Sequence, residues 1–430
     1  MRTNSKKILI LFGDIAVLYG SLVLMLVIRY GADYFPSALK SHLAPFSLIF
    51  IVWLLVFYLF NFYSEKFLKY GPATVQNFIS AIGINIALSV AIFYIFEPFF
   101  KLTPKTNLLI FSLIFFIIDY VWRAGLSKIF ISRGLRKKII IVGDSPVIEP
   151  LLNYLNNNPQ VGYTAEKRNI GNLNNLNGIE ALIISDSLKK NPNTIKNIYK
   201  LLPLNIKIFS LADFYEIIFQ KAPLEEVDEL WFVEQISTAT RFYDAIKRFL
   251  DVVLSLILII AFLPLILIIA ILIKINSKGP TIYKQQRIGK NDFPFTLYKF
   301  RTMKIGVDGP LATEKNDKRV FFVGKILRFT HLDELPQLWN ILKDNISFIG
   351  PRPESSDLVE IYKKLPYYEI RHIIKPGLTG WAQVNYKASA SPEEAHEKLR
   401  YDIYYIKNRS LVLDFLILPK TIKYIFVSHK

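Results

Sequence analysis

Four apolar runs occupy the first third of the chain, at about Ile8–Ile28, Phe46–Phe62, Phe78–Phe96 and Leu108–Trp122. The first three are long enough to cross a hydrocarbon core of about 30 Å as helices, and the fourth does so if its flanking residues reach out to the interface. Arg2, Lys6 and Lys7 precede the first run, as in a signal peptide, but Asp14 interrupts it and no small-residue cleavage site follows. The tract after the fourth run is densely basic: Arg123, Lys128, Arg133, Arg136, Lys137 and Lys138. Cations of this kind stay in the cytoplasm, and four crossings then put the N-terminus there as well.

From 138 to about 235 the period changes. Lys138–Val142 reads as a buried strand ending in a Gly143-Asp144 turn, Ile148–Leu155 as a helix, Ala181–Ser185 as a second strand and Ile195–Leu202 as a second helix. Alternating strands and helices predict a Rossmann-like α/β domain, with Asn156–Pro159 and Asn172–Gly178 as surface loops. The turn carries one glycine and the chain has no G-x-G, so the dinucleotide fingerprint is missing. A fifth apolar run, Phe249–Ile273, carries Pro264 near its middle and cations on both flanks, Lys247 and Arg248 before it and Lys274 and Lys278 after it. A proline there breaks or kinks a helix, and cations at both ends suit a hairpin over about 247–275 that enters the bilayer and returns to the same face, with a kinked fifth spanning helix as the alternative.

Composition sharpens this picture. A hydrophobic content of 52% with 20% charged residues over 430 residues is that of a membrane protein and excludes disorder. With no cysteine, disulfide, thiolate and Cys-ligated metal chemistry are excluded together. The net charge is +18, and from Arg241 onward 30 Lys and Arg face 18 Asp and Glu, so +12 of it lies in the last 190 residues. Beside a bilayer this reads as attraction to anionic lipid or an anionic substrate rather than nucleic-acid binding.

The last module is dense in short motifs. GPTIYKQQRIG (Gly279–Gly289) and FTLYKFRTM (Phe295–Met303) read as strands with cations at Lys284, Arg287, Lys299 and Arg301. In LRFTHLDELPQLWN, Leu335, Leu338, Trp339 and Leu342 fall on one helical face, and Pro336 is tolerated only in a first turn, so Asp333 and Glu334 lie at a helix start. Two readings stand there. The carboxylates cap the helix, or they form a reactive site in which an Asp acts as nucleophile through a phosphorylated intermediate and an adjacent Glu holds Mg²⁺. Downstream, Arg352 sits between Pro351 and Pro353, which restrict the backbone and suit a fixed phosphate clamp. Trp381 reads as core or interfacial anchor, the tail from Arg400 as an interfacial helix, and the five histidines show no metal spacing.

Seven ordered motifs, KRFLDVVLS, GPTIYKQQRIG, LYKFRTM, LRFTHLDELPQLWNILK, IGPRPE, PGLTGWAQVNY and LRYDIYYIKNRSLVLDFLILPKTI, closely resemble the bacterial sugar transferases, the polyprenyl-phosphate hexose-1-phosphate transferases. The four runs and the Rossmann-like insert ahead of them are similar to the long polytopic branch. The resemblance implies transfer of a hexose-1-phosphate from a UDP-sugar to undecaprenyl phosphate on the cytoplasmic face of the bacterial inner membrane. Asp333 would be the nucleophile and Glu334 the Mg²⁺ ligand, with Asp333 beside the metal, and acid/base partner. Arg352, Arg328, Lys299 and Arg301 would bind phosphate. Partners would be the UDP-sugar, undecaprenyl phosphate and anionic lipid, with no nucleic acid; a homo-oligomer is compatible. Two departures stand out: Leu263-Pro264 replaces the family's Ser-Pro, and Asp317-Lys318-Arg319-Val320-Phe321 replaces an Asp-Pro-Arg-x-Thr-like stretch.

The expected architecture is a multi-pass membrane protein: a four-helix transmembrane region over 1–130, a Rossmann-like α/β domain over 136–235, and a mixed α/β catalytic domain with a re-entrant helix hairpin over 241–430. Two competing functions share parts of this pattern. A membrane nucleotide-sugar dehydratase or epimerase would use Tyr243 and Lys247 as a Tyr-x-x-x-Lys pair but needs the absent glycine loop. A non-enzymatic scaffold for glycan assembly explains the charge but not Asp333-Glu334.

Overall fold

The computed structural model describes residues 3–60, 62–63, 72–97, 105–131, 136–169, 176, 178–189, 192–199, 203, 206–236, 241–304, 319–386 and 391–427. Arg2, Arg133, Asn172, Asn174, Asn175, Asn177, Asp317 and Lys318 lie outside the described residues. Packing divides the chain into two compact units, Met1–Leu211 and Ala212–Lys430.

The first unit opens with helices α1 (Thr3–Leu59), α2 (Pro72–Ile95) and α3 (Lys105–Ile131). Gly31, at φ 74° and ψ 172°, divides α1 into two helices. The second begins well ahead of the apolar run at Phe46, because Pro36 falls in its first turn, where a missing N–H costs little. Four segments here, Lys7–Gly31, Asp33–Leu59, Phe78–Ile95 and Thr106–Ile129, are long and apolar enough to cross a membrane. Phe46, Phe50, Trp53 and Phe57 recur on one face of α1 and pack on Phe111 and Phe115 of α3. Ring centroids lie 5.4 Å apart for Phe46–Phe111 and 5.2 Å for Trp53–Phe115. Arg123 is not part of a solvated basic tract. It is buried, bonded to Asp14 and, at 2.7 Å, to Asp119, and it donates to the Phe62 carbonyl. Asp14 therefore interrupts the first apolar run to neutralise a buried guanidinium, which would be costly to leave unpaired.

The rest of this unit is β1 (Lys137–Val142), α4 (Ile148–Asn157), β2 (Tyr163–Arg168), β3 (Ile179–Ile184), α5 (Asp186–Lys189), α6 (Pro192–Tyr199) and β4 (Lys207–Ser210). The strands form one parallel sheet in the order β2-β1-β3-β4. The central strands β1 and β3 are the apolar ones, as a parallel sheet covered on both faces requires. Gly143 follows β1 at φ 130°, and a Cβ there would lie 2.4 Å from the Cβ of Ser185, so only glycine lets the turn pass the end of β3.

The second unit contains α7 (Leu211–Phe219), α8 (Glu229–Gln235), α9 (Arg241–Asn276), β5 (Ile282–Ile288), β6 (Pro294–Phe300), α10 (Phe322–Thr330), α11 (Gln337–Leu342), β7 (Ser347–Ile349), α12 (Ser356–Tyr362), β8 (Gly377–Thr379), α13 (Trp381–Asn385), α14 (Pro392–Asn408) and α15 (Leu411–Val427). Residues 212–236 pack here: Arg400 of α14 donates to the Tyr215 hydroxyl (2.7 Å) and the Ala222 carbonyl (2.9 Å). Pro264 lies inside α9, which stays one helical element rather than two helices with a break between them. Strands β5 and β6 form an antiparallel hairpin, and β7 pairs in parallel with β8.

Candidate active site

The site grows from the far end of the β5–β6 hairpin. Along β6 the side chains of Phe295 and Leu297 enter a core with Leu338 and Ile341 of α11. Alternation places Lys299 on that same face. A cation at a core-facing position needs a partner, and the Lys299 ammonium donates to Glu334 Oε1 at 2.6 Å. Asn340 registers strand against helix, donating to the Thr296 carbonyl (2.7 Å) and accepting from the Tyr298 N–H (3.0 Å).

Glu334 and Asp333 lie on a short 3₁₀ turn, Leu332–Glu334, between α10 and α11. Helix α10 ends where His331 turns left-handed at φ 54°. Helix α11 starts at Gln337, so the expectation that Pro336 marks a helix start is met. Neither carboxylate caps that helix: Pro336 holds the cap position with no side-chain cap bond. The buried face is Gln337, Leu338, Asn340 and Ile341, while Trp339 is 52% exposed. Trp339 was expected on the apolar face with Leu335 and Leu338; the helix is too short for that stripe to set its orientation, and Asn340 fixes it instead.

The two carboxylates differ in their surroundings. Burial pushes Asp333 up to about 6; Lys299 and Arg328 pull it down, while Glu334 pushes it further up. Burial also opposes ionisation of Glu334, yet Lys299 and Arg352 overcome it and hold this carboxyl at about 2. Arg352 approaches Glu334 Oε1 at 3.3 Å, with its side chain 38% exposed. Lys299 and Arg352 thus converge on one carboxylate oxygen.

Arg352 rides on a loop, Gly350–Glu354, that the Pro376–Gly380 segment holds from behind. Gly350 donates to the Thr379 carbonyl at 2.8 Å. A Cβ on Gly377 would come 2.1 Å from the Gly350 nitrogen, and one on Gly380 would come 2.1 Å from the Gly350 carbonyl oxygen. The glycines of PGLTG are there for close backbone approach to the arginine loop. Trp381, next to them, is core: it is buried, donates to the Gln220 carbonyl at 3.0 Å and lies under the Lys420 ammonium.

The other expected residues fall in different places. Arg328 lies near Asp333, and its Nε donates to the Thr302 hydroxyl at 2.8 Å. Arg301 is turned away from the carboxylates. It is buried and donates to the Ser277 and Lys278 carbonyls at 2.7 and 2.8 Å, closing the C-terminal end of α9. Alternation would keep it on the same face as Lys299, two residues back, but β6 ends at Phe300 and the chain turns before Arg301. Tyr243 and Lys247 both donate to Asp414, at 2.8 and 2.6 Å, which ties α9 to α15 and leaves this pair no dehydratase geometry. Arg287, read from the sequence only as a hairpin cation, and Arg371, which the sequence did not single out, bond the carbonyls of Pro353 and Arg352. The only signal for them was that prolines remove amide donors from the loop.

Among the described residues no three His, Asp or Glu side chains gather to hold a metal. Asp333 and Glu334 supply two hard carboxylates, the number Mg²⁺ uses when phosphate and water complete its shell. The donor set fits an ion shared with a diphosphate.

A family model described as bacterial sugar transferase matches residues 242–428. Over 189 residues the chain is 44% identical to a UDP-N-acetylgalactosamine-undecaprenyl-phosphate N-acetylgalactosaminephosphotransferase of Aeromonas hydrophila, covering 43% of this chain and 45% of that one. It is 41% identical over 181 residues to a UDP-glucose:undecaprenyl-phosphate glucose-1-phosphate transferase of Klebsiella pneumoniae, covering 41% and 39%. To the exopolysaccharide production protein PSS of Rhizobium leguminosarum bv. phaseoli it is 39% identical over 186 residues, 41% of this chain and 93% of that protein. The chain thus spans under half the length of the first two relatives.

Proposed function

Since the chain belongs to the bacterial sugar transferase family, we propose that it moves a hexose-1-phosphate from a UDP-sugar to undecaprenyl phosphate at the cytoplasmic face of the bacterial inner membrane, the step that starts an exopolysaccharide, capsule or O-antigen. The observation that carries this reading is the convergence of Lys299 and Arg352 on Glu334, one residue from a carboxyl of opposite character. An Asp333 oxygen attacks the sugar-bearing phosphorus. The bond from that phosphorus to the bridging oxygen breaks, and UMP leaves with the electron pair. The resulting acyl phosphate is attacked by an oxygen of undecaprenyl phosphate, and the Asp333 carboxylate leaves. With its pKa at about 6, Asp333 is mostly ionised at neutral pH and keeps nucleophilic character. Glu334, held at about 2, is poorly suited to exchange protons there. It suits anchoring Lys299 and Arg352 instead, with its other oxygen and Asp333 available to Mg²⁺. The ion when bound would neutralise charge on the diphosphate; Lys299, Arg352 and Arg328 orient it.

A membrane-facing, re-entrant arrangement is supported by α9. A straight helix from Arg248 to Ser277 would extend about 43 Å. Arg248 donates to the Ile341 and Leu342 carbonyls, beside Asn340, which bonds Tyr298. Only about 10 Å of strand separates Tyr298 from Arg301, which holds Ser277. Both halves of α9 also pack on one body, Leu258 and Ile259 against Phe295 and Leu338, and Ile269 and Ile273 against Phe300 and Leu327. These contacts support a helix curved at Pro264, where the missing N–H weakens it, so that the apolar segment returns to the side it left. Phe322, Ile326 and Phe329 form an exposed apolar stripe on α10, which with exposed Trp339 suits a lipid surface.

The test supplies a panel of UDP-sugars with undecaprenyl phosphate and Mg²⁺ and follows UMP and lipid-linked product. Asp333→Asn is expected to abolish both. Near-normal turnover by that variant would remove Asp333 as nucleophile.

A further inference from the structure

The Gly350–Glu354 loop has lost two amide donors to Pro351 and Pro353, so beyond the Gly350 N–H its carbonyls anchor it. Four consecutive carbonyls are each taken by a different donor. Pro351 accepts from the Gly377 N–H (2.9 Å), Arg352 from Arg371 Nη2 (2.9 Å), Pro353 from Arg287 Nη1 (3.0 Å) and Glu354 from the Ile288 N–H (3.1 Å). Two of the four donors are guanidinium groups. We propose that Arg371, assisted by Arg287, is a positioning residue: it sets the place of the Arg352 guanidinium by holding the Arg352 carbonyl, without touching substrate itself.

Arg371 is built for that task. Its side chain is 4% exposed, against 38% for that of Arg352, so a ligand that meets Arg352 from solvent does not meet Arg371. Besides the Arg352 carbonyl it donates to Asp402 at 3.0 Å and to the Tyr368 hydroxyl at 2.7 Å. Glu354, which terminates the loop, lies 3.8 Å away and also accepts from Lys398 at 2.7 Å. Arg371, Lys398 and Arg287, the last 4.0 Å from Glu354, thus face two carboxylates in this network, and three partners hold the Arg371 guanidinium plane. A lysine in its place keeps the charge for Asp402 but has no planar fork to serve three fixed acceptors at once. The backbone beneath Arg352 is then held by one bond fewer.

This inference rests on the proposed role of Arg352 as phosphate clamp, and the experiment separates the two. UMP release from the best UDP-sugar is measured for the full chain, Arg371→Lys, Arg352→Ala and the double variant. Misplacing a positioned group by about 1 Å costs up to roughly 100-fold. Arg371→Lys is therefore expected to lower kcat about 10- to 100-fold, with KM changed less than about 3-fold. In the Arg352→Ala background the same change should cost less than about 2-fold, since residues acting through one another are not additive. Equal losses in both backgrounds would overturn the positioning role and leave the clamp standing. An Arg352→Ala enzyme with unaltered turnover would overturn the clamp and the inference with it. If Arg371→Lys does not fold, Arg287→Lys is put through the same cycle, and additivity there counts against the proposal in the same way.

Discussion

Replacing Asp333 by asparagine keeps the side chain's volume and removes its charge, and the two consequences have opposite signs. Activity should be lost while the fold gains stability. Asp333 carries a carboxyl raised from 3.8 to about 6, mainly by burial. Because the folded value lies above the unfolded one, the carboxyl destabilises the folded state increasingly as pH rises above 3.8, and in full above about 6. Below the unfolded value both states are protonated and the effect vanishes. About 2 pH units at 1.36 kcal/mol each give about 3 kcal/mol at pH 7.5, which drops to about half at pH 5. For a unit of this size that corresponds to a rise in Tm of roughly 6–12 °C, and partial solvent screening reduces the expected gain to about 3–8 °C. Thermal unfolding of the purified full chain in detergent, wild type against Asp333→Asn at pH 7.5 and pH 5, measures it. A variant no more stable than wild type at pH 7.5, or equally stabilised at both pH values, would refute the reasoning that burial dominates this carboxyl.

Lys299 is the largest influence pulling Asp333 down, so Lys299→Met should shift the acid limb of the kcat/KM profile to higher pH, by at least about half a unit; an unmoved limb would mean that Lys299 does not govern the nucleophile. Arg301→Gln should destabilise the second unit by about 1–3 kcal/mol by leaving the Ser277 and Lys278 carbonyls, just past α9, short of donors, while kcat/KM measured on the folded fraction changes less than about 3-fold. A large loss of kcat with full stability would return Arg301 to the phosphate site. Arg123→Met strands two buried carboxylates, Asp14 and Asp119, at a cost of about 3–5 kcal/mol. Fluorescence-detected size exclusion after heating should show it, with partial recovery when Asp14→Asn is added.

What the sequence disclosed follows the physics of each element. Strands β1 and β3 are continuous apolar runs because they are central in a parallel sheet, and both were readable to within two residues. The outer strands were not. Tyr163–Arg168 ends in Glu-Lys-Arg, the charged pattern that protects an edge, and Lys207–Ser210 is too short to show a period. Arg123 was grouped with the basic tract that follows the fourth run, and its burial was not legible because the partners that bury it, Asp14 and Asp119, lie on two different helices and only one of them is near in sequence. In the candidate site, Lys299 could have been singled out by counting alternate positions from Phe295. Arg301, two residues on, carries the same charge and faces helix-end carbonyls, a difference that appears only once β6 has ended. The task of Arg287 and Arg371 could not be read, since it is to bond carbonyls that every residue possesses.

The opposite displacement of two adjacent carboxyls is the strongest reason to treat Asp333-Glu334 as more than a helix start. Acids that merely complement a helix N-terminus are both lowered, and both face its amides. Here the following helix has six residues and is capped by Pro336, while Glu334 is lowered by Lys299 and Arg352, cations from a strand and a proline-bounded loop. Asp333, on the same turn, is raised. Environments that drive neighbouring titratable groups apart suit them to different roles, and the proposed function uses them so: Glu334 locked in ion pairs as a fixed anchor, Asp333 left closer to neutrality as the nucleophile. Such a division costs stability at Asp333, and the predicted gain on neutralising it measures how much of that cost the site carries.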